Sequence, residues 1–281
     1  PPSPLIPPDL AQHNIVIEDC TVIGQMTPGA GYPLLKNCTL NTLVCDQGPS
    51  GMNDNNVDLV GCVLQENFIL RSPAGSNYFV NFTGCQMMGG SVGEPANPQV
   101  QATFNGCFTP PNSFPDPVHR YSNQPMNVNG GSYRCQFLNE NTTTNPMVFH
   151  GAFLTTYNNP LYQTRPVVNI GDLTNSGYVE LYNCYVYGIY SDRATVAGAG
   201  FPGLKVFNCV LTSNGVPPGV IQLENNAEMY IGGCTFFTGG TAVGTSTAGA
   251  MTTALSNFLL GGGSAVGGAI TATPPGPPAY F

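Results

Sequence analysis

The chain has 281 residues, 42% of them hydrophobic, which is enough to bury a large core in one or two domains. Only 8% of the residues are charged, with seven basic and fifteen acidic side chains and a net charge of −8. Seven dispersed cations are too few for the basic surface that phosphate backbones require, so the composition excludes a typical nucleic-acid-binding protein. No run of eighteen apolar residues occurs, so the sequence predicts no transmembrane helix.

The first segment, residues 1–13, is rich in proline and carries one acidic residue, which predicts an extended N-terminal arm. It lacks the basic end and the apolar stretch of a secretory signal peptide. It also lacks an initiator methionine. We therefore expect a processed product, an excised fragment or a chain whose start is missing.

A repeated pattern marked by cysteine covers residues 14–240. In each copy a few alternating apolar residues lead to a cysteine and then to further apolar residues. The markers are Cys20, Cys38, Cys62, Cys85, Cys107, Cys135, Cys184, Cys209 and Cys234. Successive markers lie 18 to 28 residues apart, except for one step of 49, which predicts that a copy near residue 160 has lost its cysteine. A period near 24 without helical periodicity indicates a β-solenoid.

The residue before each marker predicts a tight corner. It is Gly at positions 61, 84, 106 and 233, Asn at 37, 183 and 208, and Asp at 19, and Arg134 is the exception. Gly, Asn and Asp tolerate a left-handed backbone better than other residues. We expect each coil to pass from a strand through this corner to an inward-pointing cysteine at the start of the next strand.

This corner pattern resembles the right-handed parallel β-helix of pectate lyases, polygalacturonases and bacteriophage tailspikes. The resemblance covers residues 14–240 and implies an all-β fold, a single right-handed parallel β-helix of about ten coils with extended N- and C-terminal arms. At a strand spacing of about 4.8 Å, ten coils would form a rod about 48 Å long. A shared architecture does not by itself establish a function.

The ten cysteines are compatible with a disulfide framework, a ladder of free thiols or a metal site. Stacked coils would bring successive Cα atoms within disulfide range, but parallel side-chain directions disfavour the disulfide torsion. We predict a structural ladder of buried free thiols. We predict no metal site and no cofactor, because no CxxC pair occurs and His13, His119 and His150 lie far apart in sequence.

No catalytic residue can be assigned with a defined role, and the nearest candidates are Asp116, His119 and Arg120. They lie in a Pro- and Asn-rich insertion between Cys107 and Cys135. An acid, an imidazole and a guanidinium this close can orient a proton transfer, or can fix a loop through a salt bridge. The polygalacturonase segments Asn-Thr-Asp, Asp-Asp, Gly-His-Gly and Arg-Ile-Lys are absent.

Other polar and aromatic groups have two interpretations each. Asp54 and Asp58 have the even spacing of one strand face, as in a calcium or sugar site, or belong to a polar loop that enters a strand. The series Tyr182, Tyr185, Tyr187 and Tyr190 can stack on sugar rings or serve as packing contacts. Glu18, Glu180 and Glu228 stand two, four and six residues before their cysteines, so strands in register would not bring them into one site.

Residues 241–281 carry no charge and are rich in Gly, Ala and Thr. We expect this segment to cap the open end of the solenoid or to dock on a partner, with one short helix at Ala248 to Leu260.

Two functions remain open. The first is a non-catalytic structural protein of a virus particle, such as a capsid decoration protein or a tail-spike module. The resemblance then implies a homotrimer on the virion surface that contacts other virion proteins through its arms, with no nucleic-acid or membrane partner. The second is a secreted or tailspike-like β-helix that binds or degrades a polysaccharide. An ice-binding solenoid would need regular Thr arrays, and the threonines here are irregular.

Overall fold

The computed structural model shows an all-β parallel solenoid. It describes residues 15–27, 32–45, 54–70, 77–92, 100–110, 118–121, 126–134, 136–139, 147–155, 168–170, 179–191, 204–212, 220–223, 228–238, 241–244, 251–255, 257–260, 264–266 and 271–273. These ranges contain strands and the turns between them, and no helix. The predicted all-β class and the parallel solenoid are confirmed.

Three sheets run along the solenoid, and the pairings within them are parallel. The twelve-stranded sheet has the order β1 (Ile15–Glu18), β3 (Pro33–Lys36), β5 (Asp54–Val60), β7 (Asn77–Thr83), β9 (Val100–Asn105), β11 (Met126–Asn129), β14 (Met147–His150), β17 (Val179–Tyr182), β20 (Leu204–Phe207), β23 (Glu228–Gly232), β26 (Met251–Leu255) and β29 (Thr271–Thr273). The eleven-stranded sheet has the order β2 (Thr21–Met26), β4 (Thr39–Cys45), β6 (Val63–Leu70), β8 (Gln86–Val92), β10 (Val118–Tyr121), β13 (Gln136–Asn139), β16 (Val168–Ile170), β19 (Ile189–Ser191), β22 (Ile221–Leu223), β25 (Thr241–Gly244) and β28 (Ser264–Val266). The six-stranded sheet has the order β12 (Ser132–Arg134), β15 (Phe153–Thr155), β18 (Tyr185–Tyr187), β21 (Val210–Thr212), β24 (Thr235–Phe237) and β27 (Phe258–Leu260).

The corners have the backbone that the sequence predicts. All eight Gly, Asn and Asp positions named above have positive φ, from 53° at Asn37 to 63° at Gly233. The corner amides also connect neighbouring coils. The N–H of Asn37 donates to the carbonyl of Val60 at 2.9 Å, and the N–H of Gly61 donates to that of Thr83 at 2.9 Å. Each corner therefore sets the direction of the chain and ties one coil to the next.

The coil that follows Cys107 differs from the sequence prediction. Strand register pairs Asn129 with Asn105, so the corner of this coil is Gly130, with φ 65°. Arg134, the predicted corner, lies in strand β12. Gly131 therefore occupies the position after the corner, where other coils have a cysteine. Cys135 itself lies outside the described residues. The prediction followed the nearest cysteine, whereas the hydrogen-bond ladder between β9 and β11 decides which residues align.

The coil that lacks a cysteine marker is also placed by register. His150 aligns with Asn129, which puts the corner at Gly151, with φ 62°, and the cysteine position at Ala152. Ala152 is buried at 1% exposure. A small apolar side chain therefore fills this position, eight residues before the predicted location near residue 160.

The core consists of inward positions that stack from coil to coil. Alternate residues of each strand point to opposite faces, so every second residue joins a column inside the solenoid. Phe68, Phe82 and Phe104 are each buried to 1% exposure or less. The ring centroids of Phe82 and Phe104 lie 4.9 Å apart at an interplanar angle of 11°, and Phe68 lies 5.3 Å from Phe82. These three rings, from β6, β7 and β9, fill the core across neighbouring coils.

The same sheets continue beyond residue 240. Strand β26 pairs with β23, β27 pairs with β24, and β29 pairs with β26. The predicted helix at Ala248 to Leu260 is therefore wrong, because residues 251–255 and 258–260 form strands that pair with the preceding coil. The N-terminal arm, residues 1–13, and residues 274–281 lie outside the described residues.

A corner asparagine lies over the glycine of the following corner at two places. A Cβ atom built on Gly233 would overlap Asn208 Oδ1, and one built on Gly61 would lie 2.9 Å from Asn37 Oδ1. At these two corners the glycine therefore leaves the space that the asparagine side chain of the preceding corner occupies.

We expect Gly233→Ala to lower the free energy of unfolding by about 2–3 kcal/mol, because left-handed strain adds to the overlap with Asn208. In the double variant Asn208→Gly/Gly233→Ala the overlap is gone, so the effect of Gly233→Ala should fall toward about 1 kcal/mol. Chemical denaturation of the four proteins in this cycle measures the coupling. Additive effects of the two substitutions would contradict the interpretation.

Candidate functional site

The cysteine ladder is the stack of thiols that follow the corners. The structure describes Cys20, Cys38, Cys62, Cys85, Cys107, Cys184, Cys209 and Cys234 at these positions, all as free thiols and all buried except Cys20. The N–H of Cys184 donates to Cys209 Sγ at 3.3 Å, and the N–H of Cys209 donates to Cys234 Sγ at 3.4 Å. The sulfurs of Cys209 and Cys234 therefore each accept a backbone hydrogen bond across a coil boundary. Cys45 is also a buried free thiol, but it lies at the end of β4, outside the ladder.

Asn257 continues the ladder after its last cysteine. Its Oδ1 accepts from the N–H of Cys234 at 2.9 Å, and its Nδ2 donates to the carbonyl of Ile231 at 3.3 Å. Cys234 makes the corresponding contact one coil earlier, with Sγ donating to the carbonyl of Val206 at 3.5 Å. An asparagine thus performs both roles of a ladder cysteine. The sequence signal was the polar Ser-Asn pair inside an otherwise apolar run.

Contacts between neighbouring thiols change their acidity. A hydrogen bond with the Cys107 side chain, together with burial, raises the pKa of the Cys85 thiol to about 12. A hydrogen bond with Cys85, and then burial, raises the pKa of Cys62 as well. The pKa of Cys107 is lowered, because the hydrogen bond from Cys85 stabilises its thiolate. Since the thiolate is the nucleophile, Cys62 and Cys85 stay protonated and unreactive near neutral pH.

We expect the eight buried cysteines of the described part to react slowly with a thiol reagent in the native protein, because burial blocks access. After denaturation under non-reducing conditions all ten cysteines of the chain should react. Thiol titration with intact-mass analysis measures both numbers. A mass showing five disulfides would contradict the free-thiol ladder.

A second group of side chains, the Glu180 cluster, lies on the outer face of the twelve-stranded sheet. It comprises His150, Glu180, Tyr182, Lys205 and Phe207, which strand register brings together from β14, β17 and β20. Lys205 Nζ lies 3.0 Å from Glu180 Oε1, and the Tyr182 hydroxyl donates to Glu180 Oε2 at 2.9 Å. Both carboxylate oxygens are therefore paired.

The aromatic rings of the Glu180 cluster stack on one another. Tyr182 lies between His150 and Phe207, with ring centroids 5.1 and 6.0 Å away and both interplanar angles 14°. Both faces of the Tyr182 ring are used within the chain, so this ring is not free to stack on a sugar. Tyr230 pairs in register with Lys205 and is 42% exposed, so it offers an aromatic surface beside the ion pair.

The side chains of the Glu180 cluster connect neighbouring coils through an ion pair and ring stacking. Its ion pair is more shielded than Lys36–Glu18 on β3 and β1, where both side chains are 43% exposed and the N–O distance is 2.9 Å. The side chains of Lys205 and Glu180 are 26% and 17% exposed. Hydrolysis by a carboxylate pair requires two acids about 5–9.5 Å apart, and the cluster contains one acid, which is paired with Lys205. Its geometry is that of a structural ion pair beside the exposed ring of Tyr230.

The grouping of Asp116, His119 and Arg120 into one site stays a prediction. His119 and Arg120 lie in strand β10 and not in a loop. Asp116 lies outside the described residues. Asp58 accepts a hydrogen bond from Asn81 Nδ2 at 2.8 Å on the outer face of β5, and Asp54 begins the same strand.

The tyrosine series is divided among three strands. Tyr182 ends β17, Tyr185 and Tyr187 lie in β18, and Tyr190 lies in β19. Tyr185 stacks on Phe153 with centroids 4.5 Å apart, and Tyr187 packs against the core. Glu18 and Glu180 lie in different columns of the twelve-stranded sheet, as their spacing from the cysteines predicts.

Among the described residues, no group of three His, Cys, Asp or Glu side chains is arranged to hold a metal ion. Within the same ranges no helix is long and apolar enough to cross a bilayer. Comparisons with protein-family models, with curated proteins and with solved structures find no match to this chain. The class that the geometry defines is a parallel β-helix.

Proposed function

We propose that this chain is a non-catalytic structural protein of a virus particle, a capsid decoration protein or a tail-spike module, built as a right-handed β-helix of about ten coils. The observation that carries the proposal is that outward polar side chains pair along the solenoid from coil to coil. Besides Glu180–Lys205, Asn129 Nδ2 donates to Asn105 Oδ1 at 2.9 Å. Such pairing suits a rigid rod. The virus setting comes from the resemblance of the corner pattern to tailspike β-helices.

The six-stranded sheet offers a surface for association with a second copy. Phe153 is 44% exposed and Phe237 is 48% exposed on this sheet. Its six strands carry one charged residue, Arg134. Two copies with a net charge of −8 repel each other, so a face with little charge is where they can meet. The proposed assembly is a side-by-side homotrimer on the virion surface that contacts other virion proteins.

Mass-resolved chromatography over a range of protein concentrations tests this assembly. The unmodified chain should elute as a trimer, and Phe237→Asp should shift it toward monomer because a carboxylate would have to be buried in the interface. Tyr230→Asp on the twelve-stranded sheet is the matched control and should leave the trimer intact. A monomer at every concentration, or equal effects of both substitutions, would reject association through the six-stranded sheet.

A polysaccharide-binding or polysaccharide-degrading β-helix is the alternative function. The observation that favours it is the exposed ring of Tyr230 in register with Lys205, since aromatic rings and polar groups together recognise sugars. The structural function predicts no release of reducing ends or unsaturated sugars from any host polysaccharide. Release that Asp116→Ala or His119→Ala abolishes would establish the enzymatic alternative. Binding without release that Tyr230→Ala removes would establish a sugar-binding protein.

A further inference from the structure

The amino-terminal end of the solenoid presents core positions to solvent. Strands β1 and β2 are the first strands of their sheets. Ile15 is 50% exposed although its register partner Pro33 is buried. The same contrast holds in the ladder, where Cys20 is exposed and Cys38 is 1% exposed. The columns that form the core therefore end here without a covering layer among the described residues.

A bulge adds to this apolar end. Register between β2 and β4 shifts between Val22 and Gln25, with Gly24 at φ 94°, and the bulge holds Ile23 at 94% exposure. Val16 on β1 is 44% exposed. Ile15, Val16 and Ile23 are three of the eight large hydrophobic side chains that are exposed in the described part of the chain. The first coil therefore exposes aliphatic side chains on both faces of β1 and at the bulge of β2, and exposed apolar surface of this kind marks a contact surface.

We propose that residues 1–14 of the same chain cover this end. The segment joins Ile15 directly, so it is held next to the surface at a high effective concentration. It contains Leu5, Ile6 and Leu10 and one charged residue, Asp9, so its chemistry matches an aliphatic surface. Fourteen extended residues reach about 46 Å, which is ample to cross the end of one coil.

The prolines explain why this segment ends the sheets. Proline occupies positions 1, 2, 4, 7 and 8 and has no N–H to donate to a β-ladder. A segment of this composition covers the first coil without itself becoming a strand with a free edge. Free edges pair with other chains and lead to aggregation, so the cap prevents end-to-end association of the rods.

The rate at which a thiol reagent labels Cys20 tests the proposal. The modified peptide is identified by mass spectrometry. In the chain as given, labelling should be at least about tenfold slower than in a chain lacking residues 1–13, as expected if the uncovered form is about a tenth of the molecules. The variant Leu5→Asp/Ile6→Asp should label as fast as the truncated chain. Ser3→Asp adds a charge without removing an apolar side chain and should keep the slow rate.

Each outcome is decisive. Equal rates in the full and truncated chains would reject a cap made by residues 1–14. Protection that increases with protein concentration would assign the cover to a second copy and also reject the proposal. The test is independent of association through the six-stranded sheet, because Phe237→Asp should leave the Cys20 labelling rate unchanged.

Discussion

Replacing Gly131 by Ala is expected to lower the free energy of unfolding by at least about 3 kcal/mol. Gly131 has φ 89°, a left-handed backbone that side chains strain. A Cβ atom here would also overlap the carbonyl oxygen of Cys107 and lie 2.8 Å from Tyr133 Cε2. The carbonyl belongs to the backbone and Tyr133 is fully buried, so neither can move at low cost.

The neighbouring glycine is the control. Gly130 has φ 65°, and a Cβ atom built on it would meet no other atom of the structure within 4 Å. Gly130→Ala should therefore cost only the left-handed strain, about 1–2 kcal/mol, and Gly130→Asn should cost less. Chemical denaturation of the three variants and the unmodified chain compares them. Equal losses for Gly131→Ala and Gly130→Ala would contradict the described packing of Tyr133.

Phe82→Ala is expected to lower the free energy of unfolding by about 3–5 kcal/mol, the range for a large aromatic side chain removed from a packed core. Phe82 is fully buried, and its ring packs against those of Phe68 and Phe104, which also contact each other with centroids 5.9 Å apart. Its removal leaves a cavity that is bounded by two rings from neighbouring coils. Because coils contact mainly their neighbours, the loss should be concentrated around strands β5, β7 and β9.

Phe153→Ala is the matched control, because Phe153 is 44% exposed on the outer face of β15. This substitution should lower the free energy of unfolding of the monomer by less than about 1 kcal/mol. Hydrogen exchange should show faster opening in β5, β7 and β9 for Phe82→Ala and little change there for Phe153→Ala. Uniformly faster exchange along the whole chain would indicate that the solenoid unfolds as one cooperative unit.

Several features of this fold follow from the sequence because the backbone restricts which residues can occupy them. A left-handed corner requires Gly, Asn or Asp, so eight corners were predicted at the positions where φ is positive. Alternating apolar residues before and after each corner predicted strands with one inward face. The period near 24 then predicted a parallel solenoid, and all three sheets have parallel pairing.

Other features depend on register, which no local pattern reveals. Gly131 and Ala152 hold ladder positions because β11 and β14 align with β9, and Asn257 holds one because its side chain can make the same two hydrogen bonds as a cysteine. The Glu180 cluster joins residues from three coils, and His119 and Arg120 lie in a strand that pairs with β8 and β13. The sequence by itself determined the corners and the alternation, since these are properties of single residues and their neighbours. The tertiary structure alone decided which side chains meet, because contacts across coils are set by long-range hydrogen-bond pairing between strands.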